Sequence, residues 1–146
     1  QGNALITNEL IKGTKFHYSR VGIKRLMIEL ELKEMTIFLV HLSLKYRHRQ
    51  YQLSDLYTLI KKRKKPLILA GDMNPFWGHN ELDLFLGATG MLNANKKSLF
   101  TYPSRSPKMQ LDFILHSPEI KITHFDIPQV HFSDHLPLVC DFKISS

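Results

Sequence analysis

The sequence predicts an α/β fold in one domain, residues 1–146, and three observations carry that prediction. Two almost continuous apolar runs, MTIFLVHL at 35–42 and LILAGD at 67–72, have the length and composition of buried strands. Between them Leu53, Leu56, Tyr57 and Ile60 stand at i, i+3, i+4 and i+7, the spacing of one helix face. Residues 111–144 then add three more strand-like runs, so the strand content dominates.

A chain of 146 residues is long enough to bury a sizeable core, and it contains no internal repeat, linker or low-complexity tract. Its 43% hydrophobic and 23% charged residues exclude a disordered polymer. Twenty Lys and Arg against 13 Asp and Glu give a net charge of +7. That balance suits an anionic substrate or partner without choosing among nucleic acid, a phospholipid head group and a small phosphoester. The single cysteine, Cys140 in LPLVC, excludes an internal disulfide and reads as a core residue. No apolar run approaches the ~18 residues of a membrane span, and Gln1 opens no signal peptide, so a cytoplasmic location is expected. GNALIT, strand-like and without a methionine or charged lead-in, is not expected to be the natural start of the protein.

In chain order, NALIT at 3–7 reads as a strand and residues 8–22 as a polar turn region. Leu26, Ile28, Leu30 and Leu32 alternate with Met27, Glu29 and Glu31, the period of a strand with one buried face. Lys33 and Glu34 turn into MTIFLVHL, and a helix follows from about 47 to 62. KKRKK at 61–65 falls at the helix C-terminus, where cations favour the dipole, and reads as a solvated helix end. Pro66 stops the helix, and a shorter helix at 80–89 is closed by Gly90. Strands at 111–117, 120–127 and 136–144 finish the chain.

The polar residues that interrupt this pattern mark a site. Asp72 and Asn74 end the LILAGD strand on a shared face, and Gly71 lets the backbone there approach a neighbour closely. If that strand runs parallel to MTIFLVHL, His41 opens into the same crevice. Asp112 stands among apolar neighbours in LDFIL, a placement that costs on the order of several kcal/mol unless the carboxylate is paired. HFSDHLP at 131–137 offers the partner: if the strand after it lies near LDFIL, Asp112 can hold the His135 ring in one tautomer, while Asp134, facing another way, is free to bind a cation. Ser133, Asp134 and His135 are consecutive and cannot form a nucleophilic relay. A zinc pair of His131 and His135 would need a helix, which Pro137 opposes. Arg105 and Lys108 in TYPSRSPK either meet a phosphate or lie in an exposed loop. Phe76 and Trp77 either stack on a base or sugar or close a core.

The ordered set of His41 in VHLS, Asp72 and Asn74 in GDMN, Asp112 in LDFIL, and Asp134 with His135 in SDHLP resembles the endonuclease/exonuclease/phosphatase superfamily, from about residue 35 to the end. GNALIT resembles a strand from the middle of the family domain. The resemblance implies a DNase I-like four-layered α/β sandwich, two mixed sheets face to face with helices outside. It also implies hydrolysis of phosphoesters with Mg2+ or Mn2+ by an activated water. On that resemblance the catalytic set is His41, Asp72, Asn74, Asp112 and His135. Asn74 and Arg105 bind substrate, Asp134 binds the metal, and nucleic acid is among the expected substrates. Asp72 orients or deprotonates the water. Asn74 holds the phosphate or the Asp72 geometry, His41 donates to the phosphoryl oxygens or leaving group, and His135 acts as acid/base or phosphate ligand.

The front of the chain departs from the family. Nothing before His41 matches the family's metal-binding Glu and strand-end Asn, because Glu29, Glu31 and Glu34 fall in the wrong place. The chain is therefore expected to be the C-terminal part of the domain, incomplete at the N-terminus, with poor metal affinity and self-association through an incomplete sheet. The alternative function is a non-catalytic fragment acting as an interaction or assembly unit. A calcineurin-type zinc phosphatase would need Asp-x-His early and Gly-Asn-His-Glu/Asp later, and neither motif occurs.

Overall fold

The computed structural model describes residues 3–23 and 26–145, with the backbone alone at His79. A six-stranded sheet runs in the order β1 (Gly13–Tyr18), β2 (Leu26–Glu31), β3 (Thr36–His41), β4 (Leu67–Asp72), β6 (Asp112–His116) and β5 (Leu92–Asn93). Only β3 and β4 are parallel; every other neighbour in this sheet is antiparallel. A second sheet pairs β7 (Ile120–Asp126) with β8 (Val139–Ile144). Two α-helices, α1 (Tyr46–Ile60) and α2 (Asp83–Thr89), complete the elements that position the site.

Alternation along the strands sorts their side chains onto two cores. Phe38 and Val40 of β3, Leu67 and Leu69 of β4, and Phe113 and Leu115 of β6 pack beneath α1 and α2. Leu53, Leu56 and Ile60 supply the helical side of that core, each burial contributing roughly 1.5–3 kcal/mol. The intervening residues Ile37, Ile68, Ala70 and Ile114 face the other way, onto Ile120, Ile122, Phe142 and Ile144 of the small sheet. Helices, large sheet and small sheet thus form three layers, and among the described residues no helix lies on the outer face of the β7–β8 pair. No helix among the described residues is long and apolar enough to cross a membrane.

Four expectations are corrected. Residues 3–7 form no strand, and Gln1 and Gly2 lie outside the described residues. The region expected to be a turn contains β1, which pairs with β2 along its whole length. Thr14, Phe16 and Tyr18 alternate with Lys15 and His17 there, but without a run of aliphatic residues the strand period was easily missed. Cys140 is partly exposed on the edge of the small sheet rather than in the core.

The basic run 61–65 is not simply solvated either. Arg63 ion-pairs with the buried Glu29, and the Lys65 ammonium donates to Glu31 Oε1 at 2.8 Å. That hydrogen bond holds the Glu31 carboxyl below the usual carboxylate range. The segment after α1 is therefore clamped to β2.

Candidate active site

Register places the chemistry. β3 and β4 run parallel with His41 opposite Asp72, and antiparallel β6 sets Asp112 opposite Asp72. Three titratable residues therefore form one row across three strands at a single sheet edge. His41 Nε2 stands 3.2 Å from Asp72 Oδ2. The turn before β8 brings His135 to the end of the row, where its Nδ1–H donates to Asp112 Oδ2 at 2.7 Å.

This close row depends on Gly71. Its φ is +140°, and a Cβ at that position would sit 1.9 Å from the Val40 carbonyl oxygen. After Asp72 the chain turns sharply: the Asn74 N–H donates to Asp72 Oδ1 at 3.0 Å, and Asn74 itself has φ of 50°, a left-handed conformation that Asn tolerates. Asn74 is only 2% exposed, and its Nδ2 donates to the Leu42 carbonyl at 2.8 Å. It ties the end of β4 to the segment just after His41.

On the other side, residues 101–104 hold both halves of the Asp112–His135 pair. Thr101 Oγ1 accepts from the Leu111 N–H at 3.2 Å and the Asp112 N–H at 3.4 Å, and the Thr101 carbonyl accepts from the Leu136 N–H at 2.8 Å. The Ser104 N–H donates to the Asp134 carbonyl at 2.7 Å, and its hydroxyl donates to the Ser133 carbonyl at 2.7 Å. The Tyr102 ring lies against the His135 ring with centroids 4.9 Å apart. No hydrophobic period marks these positioning residues, because they lie outside any helix or strand. The available signal was small hydroxyl residues beside the two motifs that they join.

Arg49 was missed as well, and it is a fully buried cation in α1, 0% exposed. Its Nη1 donates to the carbonyls of Ser43 at 2.8 Å and Leu44 at 3.0 Å, and its guanidinium pairs with Glu81. Glu81 Oε1 accepts from the Trp77 N–H at 2.7 Å. One buried ion pair therefore braces the loop after His41 and the loop after Asn74.

Asp72, Asp112 and His135 offer ligand atoms that all lie within 4.8 Å of one another. Two hard carboxylates and an imidazole suit a divalent cation, so the residues present fit a metal of the kind that phosphoester chemistry uses. Asp134 is outside this set. It is exposed, its Oδ1 accepts from the Ser133 hydroxyl at 3.1 Å, and it lines an open cleft with Arg105. Glu29 and Glu31 lie toward the opposite end of β2, Glu31 beside Thr36 at the start of β3.

A family model described as the Endonuclease/Exonuclease/phosphatase family matches residues 14–135. The chain belongs to that family. Its fold is DNase I-like, and structures of known members superpose on it. An endonuclease/exonuclease/phosphatase family protein from Bacteroides thetaiotaomicron has a TM-score of 0.77 at 17% identity, over 93% of this chain and 66% of that one. A mannosyl-6-phosphatase from the same organism gives 0.74 at 16% identity, over 94% and 68%. The human Nocturnin catalytic domain, with a bound sulfate anion, gives 0.72 at 23% identity, over 96% and 62%. The chain thus spans about two thirds of the length of each structure. No curated protein matches it. The family's members are hydrolases of phosphoester bonds.

Proposed function

We propose that this chain hydrolyses phosphoester bonds with Mg2+ or Mn2+, using a water activated at the row His41–Asp72–Asp112–His135. The observation that carries this reading is the convergence of four separate motifs on one sheet edge, through strand register and a 2.7 Å hydrogen bond. Asp72 and Asp112 of this cluster would hold a divalent cation through carboxylate oxygens, and the cation would supply positive charge to the phosphoryl oxygens and make water more acidic.

This chain's own residues divide the remaining work. Asp72, held by the Asn74 N–H, orients the attacking water and accepts its proton. Asp112 keeps the His135 proton on Nδ1, which leaves Nε2 to exchange a proton with substrate or to meet a phosphoryl oxygen. His41 donates from the far end of the row to a phosphoryl or leaving-group oxygen. Asn74 positions Asp72 and offers its second Nδ2 hydrogen to substrate, Arg105 meets a phosphate, and Asp134 provides a further carboxylate toward the cation. The family's substrates do not choose one for this chain: one neighbour is named as a sugar phosphatase.

The test is hydrolysis of bis-p-nitrophenyl phosphate with Mg2+ or Mn2+. Turnover abolished by Asp72→Ala and by His135→Ala supports the reading. No turnover by the wild-type chain with either metal counts against it.

A second reading, an assembly unit, is favoured by one observation. The edge strand β1 exposes Phe16 and Tyr18 to solvent. Light scattering that finds a clean monomer at high concentration would remove it.

A further inference from the structure

The end of the large sheet opposite the reacting row carries a concentration of lysines that the proposed chemistry does not use. Register puts Glu31 beside both Gly13 and Thr36, and Thr36 beside Leu67. Backbone hydrogen bonds close the same end: the Lys12 N–H donates to the Glu31 carbonyl and the Thr36 N–H to the Pro66 carbonyl, each at 2.8 Å. The starts of β1, β3 and β4, the β2–β3 turn with Lys33, and the KKRKK segment after α1 therefore come together. His41 ends β3 five residues beyond Thr36, so this surface lies roughly 17 Å from the row at ~3.3 Å per residue.

Eight of the chain's 20 Lys and Arg gather here: Lys12, Lys15, Lys33 and residues 61–65. The acids at this end are Glu29, Glu31, Glu34 and Glu119, the last placed by the Ser117 N–H, which donates to the Leu67 carbonyl at 2.9 Å. More than half of the net charge of +7 is thus held on one surface. Arg63 and Lys65 are engaged by Glu29 and Glu31, and these two ion pairs pin the run while Lys61, Lys62 and Lys64 stand exposed. Among the described residues no ion pair engages those three lysines, nor Lys12 or Lys33. The surface is not purely ionic, because Leu10, 78% exposed, and Ile11, 36% exposed, directly precede Lys12.

We infer that this surface docks the chain on an anionic phospholipid bilayer, with the lysines over the head groups and Leu10 and Ile11 entering the acyl boundary. A lysine ammonium is a hydrated point charge on a flexible stem, which suits a diffuse negative plane, and a cluster of about 4–8 basic side chains is the footprint of such a plane. The exposed aliphatic pair beside the cluster favours a bilayer over a polynucleotide or an acidic protein, whose charged surfaces give it nothing to enter. Docking by this end turns the row toward water, so the bilayer is an anchor and not the substrate. No residue of the row takes part, and the inference stands apart from the phosphoester reading.

Sedimentation of the full chain with sucrose-loaded vesicles tests this. Phosphatidylserine/phosphatidylcholine vesicles should carry the chain down and phosphatidylcholine vesicles should not, with binding weakening as salt rises. Lys62→Gln with Lys64→Gln should weaken binding by about 25-fold, roughly fivefold per lysine. Lys96→Gln with Lys97→Gln removes the same charge beyond β5, which leads away from this end: Leu92 lies beside His116, and the Ala94 N–H donates to the Ile114 carbonyl. That control should change binding by less than about twofold, while Leu10→Ser should weaken it by about tenfold. All five side chains are exposed, so none of these substitutions threatens folding. Failure to sediment with the phosphatidylserine vesicles, equal losses from the two double variants, or wild-type binding by Leu10→Ser overturns the inference. So does displacement from the vesicles by a duplex oligonucleotide or polyglutamate at matched total charge, which would make the partner a polyanion rather than a bilayer.

Discussion

Asp112 and His135, 23 residues apart in the chain, meet through a 2.7 Å hydrogen bond from the ring Nδ1 to a carboxylate oxygen. The bond fixes which ring nitrogen carries the proton and leaves the other as the acceptor. Asp112→Asn keeps the shape of the side chain but permits the wrong tautomer. Turnover of bis-p-nitrophenyl phosphate should fall by about 10²–10⁴-fold, the range that positioned acid/base groups supply. The double variant with His135→Ala should be scarcely worse than His135→Ala alone, since the pair acts as a unit. Additive losses in this cycle would show that Asp112 works independently of the ring.

Gly71 is where the row is most vulnerable to a single methyl group. At φ of +140° with the Val40 carbonyl oxygen 1.9 Å from the position of a Cβ, Gly71→Ala must push β3 and β4 apart. The obstacle is backbone, which cannot rotate away as a side chain would. A loss of at least about 3 kcal/mol is expected, since both strain and broken pairing contribute. Urea unfolding measures it; a variant within 1 kcal/mol of wild type would show that the strands can accommodate the shift.

Cys140 gives a prediction in pH. Burial is the main cause that pushes its thiol above the usual value, and the Asp141 carboxylate adds to it. The folded chain therefore holds the thiol proton more tightly than the unfolded chain does. The stability this contributes is fully present below the unfolded thiol's pKa and is lost as pH rises through the higher folded value. Alkylation by iodoacetamide at mildly alkaline pH should be slower in the folded protein than in urea, with the gap closing as pH rises. Equal rates in the two states would contradict the shift.

Much of this site was legible in the sequence because its residues break a pattern. Asp72 ends an apolar run, Asp112 interrupts one, and His135 lies in a turn; each is conspicuous against a strand of aliphatic neighbours. The parallel pairing of β3 and β4 was likewise readable from the intervening helix period. What stayed hidden depends on tertiary partners. β1 carries mostly polar and aromatic residues, so only its pairing with β2 defines it as a strand. Arg63 lay within a run of like charges, and nothing local reveals that it folds back to a glutamate 2% exposed on β2. Thr101 and Ser104 matter through the backbone groups they hold, which side-chain patterning does not record.

Arg49 and Glu81 form the brace whose removal should be felt at both loops. Their side chains are 0% and 4% exposed, so the pair is effectively out of water. Arg49→Met removes the cation, leaves the Glu81 carboxylate buried without its countercharge, and frees the Ser43 and Leu44 carbonyls. Breaking one side of a buried pair costs about 3–5 kcal/mol, and urea unfolding should show a loss of that size. The double variant Arg49→Met with Glu81→Gln should recover part of the loss, because the stranded charge is then gone while the Trp77 N–H keeps an acceptor. Tryptophan fluorescence separates the two consequences: the single variant should shift the Trp77 emission as its loop loses an anchor, and the double variant should restore it. A single variant as stable as wild type would show that water reaches Glu81 and that the brace is not what sets these loops.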